Sequence, residues 1–185
     1  MKFLSSEDQH VRSIALAELP KYGNRAVGPL LKVLMESRDQ FIQKDVIHCL
    51  GDIRTAEAAS GLMTFFKQTH DFPNEITSGL ILVGKPGITV LFDSYNDNDP
   101  YVRLMSLDVI NELSLTFLTD ENMLNKIKFL FLRAFKNDSS ISVRKTALNF
   151  LLPYKDQIDV KAVLENALKD KSDPLRGHVV NILKG

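Results

Sequence analysis

The feature that most limits what this chain can fold into is a short segment that recurs along it. VRSIALAEL begins at Val11, VRLMSLDVI at Val102 and VRKTALNFL at Val143, each a Val-Arg pair followed by small and apolar residues at helical spacing. Three looser copies fill the gaps: IQKDVIHCL from Ile42, ITSGLILVG from Ile76 and LRGHVVNIL from Leu175. Successive anchors stand 31, 34, 26, 41 and 32 residues apart. Every anchor is aliphatic, and the fourth and fifth residues after it are small or apolar, with Ser106 the one polar exception. That arrangement is an apolar stripe along one side of a helix.

A second helical pattern alternates with the first. RAVGPLLKVL from Arg25, AASGLMTFF from Ala58, GITVLFDSY from Gly87, LNKIKFLFLRAF from Leu124 and VKAVLENAL from Val160 all repeat apolar residues at three and four. The chain therefore reads as a series of helical hairpins. Asp99-Pro100 and Asp173-Pro174 place an acceptor for free backbone N-H groups ahead of a proline at the first helical position, with Asp39 and Asp138-Ser139 at the corresponding starts. Asn-Asp clusters at 96–99 and 137–138 mark turns, and no strand-like alternation competes. One hairpin cannot bury its apolar face alone, so consecutive hairpins are expected to stack and share a core.

These residues carry a resemblance. DPYVRLMSLDVI and, with a longer lead-in, DSSISVRKTALNFL are similar to the D-x-x-VR-x-x-A-x-x-x-L second helix of the HEAT-repeat family, and AVGPLLKVL supplies a matching first helix. In its short period the chain resembles the HEAT-like repeats of phycobilin lyase subunits. The resemblance extends over nearly the whole sequence. It implies an all-α, right-handed α-α superhelix (solenoid) of about five to six hairpins, one domain over residues 1–185, with the second helices lining its concave side. The third repeat departs from the pattern: Thr77 stands in place of the Arg, Gly79 and Gly84 weaken the helix, and the spacing contracts to 26 residues.

The Arg after each anchor falls roughly 60° from the centre of the apolar stripe. Arg12, Arg103, Arg144 and Arg176 form either a ligand-binding row or a structural ladder. The ladder is the stronger reading, because Asp8, Asp99 and Asp173 precede Arg12, Arg103 and Arg176 by three or four residues and can pair locally or with a neighbouring repeat.

Composition excludes several classes of function. With 185 residues, 44% hydrophobic and 25% charged, the chain is too apolar to be disordered, and its 23 basic and 23 acidic side chains give no net pull toward phosphate backbones or anionic lipid. Its single cysteine, Cys49, falls on an apolar helix face and suits a reducing compartment. MKFLSSEDQH is too polar for a secretory signal, and no apolar run approaches the roughly eighteen residues of a membrane span. A cytoplasmic location without membrane association is the expectation. Only MKFLSS precedes the first helical segment, so the end repeats are expected either to be amphipathic enough alone or to pack on another chain, and the oligomeric state stays open.

No catalytic, metal or cofactor constellation emerges. His10, His48, His70 and His178 are scattered over different repeats. DSYNDNDP at 93–100 lacks the Gly and Glu of a calcium loop, and GKPG at 84–87 lacks the spacing of a phosphate-binding loop. The expected function is that of a non-catalytic scaffold or adaptor binding a protein.

Positions two, six and nine after each anchor point away from the stripe and are expected to face such a partner. They yield a candidate surface of Lys44, His48, Leu82, Leu104, Asp108, Lys145 and Asn149, with Tyr101 at its edge. Leu82 and Leu104 stand out as apolar among polar neighbours; they are either anchors for the partner or residues turned inward by the irregular third repeat. Charge is also segregated. Residues 86–121 hold seven acidic side chains against Arg103, and residues 124–155 hold seven basic ones against Asp138. Such blocks either steer a partner or pair with each other. Two alternatives remain. The resemblance to phycobilin lyase subunits implies a lyase-like subunit or chaperone. Similarity to DNA-binding HEAT-like proteins implies a nucleic-acid partner, which the mixed charge and the lack of Trp disfavour.

Overall fold

The computed structural model describes residues 4, 6, 8–116, 119–169 and 174–184. Within them lie eleven α-helices and no strand: α1 (Gln9–Glu18), α2 (Asn24–Glu36), α3 (Gln40–Ile53), α4 (Ala56–Thr69), α5 (Pro73–Val83), α6 (Ile88–Ser94), α7 (Pro100–Thr116), α8 (Glu121–Asn137), α9 (Ile141–Phe150), α10 (Ile158–Lys169) and α11 (Arg176–Lys184). The odd-numbered helices carry the six anchored segments, and the even-numbered helices carry the second pattern. The chain divides into two compact units, residues 1–117 and 118–185.

In the first unit the anchored helices α1, α3, α5 and α7 lie side by side in one layer, and α2, α4 and α6 form the other. The anchors Ile76 and Val102 are buried, as are Val46, Ile47, Leu80, Ser106 and Leu107 at the fourth and fifth positions. Burying one such aliphatic side chain contributes about 1.5–3 kcal/mol, so the repeated stripe supplies most of the force that stacks the hairpins. Ser106 is tolerated in that stripe because its hydroxyl donates to the Val102 carbonyl at 2.8 Å, one turn back. In the second unit α8 packs on α9 and α10 on α11, with Val143, Ala147, Leu148, Leu164 and Val179 buried between them and the Phe131 and Phe150 rings 5.3 Å apart.

Four of the anchored helices, α1, α3, α7 and α9, start on one device, whereas α5 starts on Phe72 without a side-chain cap. Asp8 N donates to Ser6 Oγ, Asp39 N to Ser37 Oγ, Asp99 N to Asp97 Oδ1 and Ser140 N to Asp138 Oδ1, at 2.8–3.2 Å. The second residue of each pair then caps the helix: Asp8, Asp39 and Asp99 accept from the backbone N-H two residues on at 2.8 Å, and Ser140 accepts from Val143 N. The cap of α9 is thus Ser140, with Asp138 bracing it from outside; Asp173 lies outside the described residues, and α11 begins at Arg176 rather than at Pro174.

The repeated arginine belongs to this device. Arg103, only 8% exposed, donates from Nη1 to the carbonyls of Asp97 and Asn98, both at 2.9 Å, and Arg12 Nη1 donates to the Ser6 carbonyl at 2.6 Å. In both copies the guanidinium reaches back six residues to the loop that enters its own helix. The contacts that define this role are therefore to backbone carbonyls; the neighbouring Asp97 carboxyl is held below its ordinary range first by the Asp99 backbone N-H and then by Lys67, with the Arg103 charge adding a smaller pull. This supports the structural reading of the arginine row at these two positions.

Lysine and histidine side chains also pair with carboxylates between repeats. Lys44 meets Glu75 at 2.6 Å, Lys67 meets Asp97, His70 Nε2 lies 2.5 Å from Asp99 Oδ2, and Lys128 meets Asp159 at 3.0 Å. Each pair joins one repeat to the next.

The irregular third repeat has a steric cause. Alpha3 and α5 make the closest approach in the first layer, with Gly51 against Gly79. A Cβ on Gly51 would lie 2.8 Å from the Gly79 carbonyl oxygen and 3.0 Å from Gly79 Cα, and one on Gly79 would meet Ile47 at 3.2 Å. Gly79 is thus a point of backbone contact rather than simply a weak spot in α5. The contracted spacing comes from α6, which has 7 residues where α2, α4, α8 and α10 have 12 to 17, and from the tight turn at Gly84, whose φ of 72° the glycine permits.

Candidate partner-binding surface

The exposed side of α3, α5 and α7 gathers six of the eight residues expected at a partner site. Lys44, His48, Tyr101 and Asp108 are exposed, whereas Leu82 and Leu104 are half-buried. Positions two and six are exposed in the anchored helices except at Leu104 and Leu82, which are half-buried. Position nine does not hold throughout: Gly51 is buried in the contact with α5. Lys145 and Asn149 are exposed on α9 of the second unit, where Lys145 borders a separate groove of about 620 Å³ between α9 and α11.

Leu82 leans toward α3. Its Cβ is 3.0 Å from where a Cβ on Gly51 would stand, so the leucine is partly spent on packing the helix pair. The most exposed apolar groups on these helices are Phe41 at 78%, Leu115 at 70% and Tyr101 at 65%. Phe41 and Tyr101 both precede an anchor by one residue, Ile42 and Val102, and so occupy the same place on α3 and α7. Phe41 lies outside the set expected from positions two, six and nine; its equivalence to Tyr101 was the available signal.

Between α3 and α5 runs a groove of about 500 Å³, with Ile47 and Gly79 among its lining and Lys44, Asp45, His48, Asn74, Glu75 and Ser78 around them. Lys44 sits 5.9 Å from the centroid of the Phe72 ring while pairing with Glu75. Its hydrogen bond holds the Glu75 carboxyl below the usual range. His48 Nδ1 lies 3.2 Å from Asp52 Oδ2, both on the exposed side of α3. On α7, Asp108 keeps open solvent on one side, yet surrounding protein and then the Glu112 charge one turn on push its carboxyl up to about 6.

Tyr101 stands at the edge of this face with its ring 5.7 Å from that of His70, which also packs edge-on against Phe66. His70 ends α4 in a left-handed conformation, and Phe72, also left-handed, begins α5. The acidic turn at 93–100 is occupied with caps and inter-repeat pairs, and among the described residues no group of three or more His, Cys, Asp or Glu could hold a metal ion. Cys49 is buried, 3.7 Å from the Leu16 carbonyl, and burial with the nearby Asp52 charge pushes its thiol up to about 12. Such a thiol is a packing group and not a nucleophile. Among the described residues no single helix is long and apolar enough to cross a membrane.

Paired helices stacked in two layers and joined by repeat-to-repeat contacts define an all-α fold of the solenoid type. A family model described as HEAT repeats matches residues 1–80, which span α1 to α4 and most of α5. No curated protein matches the chain in sequence. Among solved structures it is similar to the crystal structure of an engineered protein, at 17% identity and a TM-score of 0.42, with 98% of this chain and 92% of that one covered.

Proposed function

We propose that the chain is a non-catalytic interaction scaffold that binds a protein partner through the exposed face of α3, α5 and α7. The observation that carries this reading is the display of Phe41 and Tyr101 at equivalent places on two helices of one layer. Half-buried Leu82 and Leu104 and a polar-rimmed groove lie on the same face. Large aromatic groups ringed by polar residues are the side chains that concentrate binding energy at protein interfaces. The histidines and carboxylates of the face are engaged with one another or open to water, an arrangement suited to recognition rather than bond making.

The test compares the intact chain with Leu104→Asp and Tyr101→Ala variants in quantitative affinity capture, with helical content and thermal transition checked for each. Loss of the specifically captured proteins, with folding unchanged, is the expected result. Retention of every partner by both variants would remove this face from consideration.

A further inference from the structure

The charge of this face is one-sided, and that narrows what it can receive. Five carboxylates stand on its three helices: Asp45 and Asp52 on α3, Glu75 on α5, Asp108 and Glu112 on α7. Against them the exposed basic groups of the three helices are one lysine and one histidine, Arg103 of α7 being buried. Lys44 is held by Glu75 at 2.6 Å, and His48 lies beside Asp52 at 3.2 Å. Asp45, Asp108 and Glu112 make no ion pair among the described residues, although the chain as a whole has as many cations as anions. Asp108 and Glu112 are one helical turn apart, close enough for each to raise the cost of charging the other.

Lys44 shows how this surface accommodates a cation: its ammonium rests between a carboxylate and the Phe72 ring. The same two ingredients lie open nearby. Phe41 and Asp45 are four residues apart on the exposed side of α3, and Tyr101 shares the exposed side of α7 with Asp108 and Glu112. An aromatic face and a carboxylate together attract lysine or arginine more strongly than either alone.

Building on the protein-binding reading above, we infer that the segment docking across α3, α5 and α7 is basic, carrying arginine or lysine on both sides of an apolar residue. Neighbouring packed helices lie roughly 8–10 Å apart, so the path from α3 to α7 is about 20 Å. An extended chain covers that in about six residues. The cations therefore fall about six residues apart, one over Phe41 and Asp45 and the other over Asp108 and Glu112, with the apolar residue between them against Leu82 and Leu104. Acidic segments are repelled by the same carboxylates, which gives the face its selectivity.

The probe is a fluorescently labelled peptide of about a dozen residues bearing arginines toward both ends and leucines between, together with its counterpart in which glutamates replace the arginines. Anisotropy titrations with the full chain should show binding of the basic peptide at least about tenfold tighter than of the acidic one, weakening as salt is raised. The double variant Asp108→Asn/Glu112→Gln should weaken the basic peptide about tenfold, and Phe41→Ala should also weaken it. Equal binding of the two peptides, or an unchanged affinity in the double variant, would overturn the proposal. So would a dimer that sedimentation shows to dissolve in the double variant, since the face would then belong to a second copy of the chain. Capture lost in Leu104→Asp together with failure of the basic peptide would leave the surface standing and remove only its charge assignment; capture unaffected by Leu104→Asp would remove the surface itself.

Discussion

Gly51 provides a direct measure of how tightly the repeats are stacked. It lies inside α3, so replacing it by alanine gains up to about 1 kcal/mol of helix propensity. A Cβ there, however, meets the carbonyl oxygen and Cα of Gly79 at 2.8 and 3.0 Å, and Leu82 Cβ at 3.0 Å. Two of those three atoms are backbone, which no rotamer change can clear, so α3 and α5 must move apart by several tenths of an ångström. Overpacking of this kind costs about 1–3 kcal/mol. Gly51→Ala is therefore expected to be neutral or to destabilise the protein by up to about 2 kcal/mol. Urea denaturation followed by circular dichroism, with the variant and the parent chain compared at equal slope, reads that difference directly. If Gly51→Ala is more stable than the parent by the full propensity gain, the α3–α5 contact is not the close approach described above.

Two further outcomes follow from polar groups. Arg103→Met removes two charge-assisted bonds to loop carbonyls from a buried side chain and should destabilise by about 2–3 kcal/mol; Arg103→Lys, a single point donor, should recover only part of this, and wild-type stability in the lysine variant would refute the brace. For Asp108, whose carboxyl stands at about 6 instead of the ordinary 3.8, the folded state holds its proton more tightly than the unfolded chain. Stability is therefore lost as pH rises from about 4 to about 6, and Asp108→Asn should raise the thermal midpoint at pH 7 while leaving it nearly unchanged at pH 4. A lower midpoint at pH 7 would show the carboxylate to be stabilising.

Helix order was legible in the sequence because stacking imposes the same demand on every repeat: Val102 and Leu107 meet the same needs as Val143 and Leu148 and so match. What the pattern does not encode is which atom lies opposite. Gly79 looks like a flaw in α5 until Gly51, a full repeat earlier, is seen to press against it. Arg103 Nη1 reaches two loop carbonyls, which carry no side-chain signature, and the aspartate four residues before it is engaged by His70 as well. The outward set at positions two and six followed from helical geometry alone. Phe41 escaped it because residues just ahead of an anchor sit on the first turn, where exposure is decided by the entering loop. Leu82 and Leu104 stand out in the sequence as apolar groups at outward positions, and both are half-buried, Leu82 beside the Gly51 contact between α3 and α5.

The links from Lys44 to Glu75, Lys67 to Asp97 and Lys128 to Asp159 each contribute little to stability, about 0–1 kcal/mol for an exposed pair. Their meaning lies in who recognises whom. Each junction sets its cation and its carboxylate at a different place, so a unit cut out, duplicated or grafted elsewhere in the array would face a neighbour without its complement. The order of the modules is thereby written into their borders, and lengthening this protein by simple copying would leave each new seam mismatched.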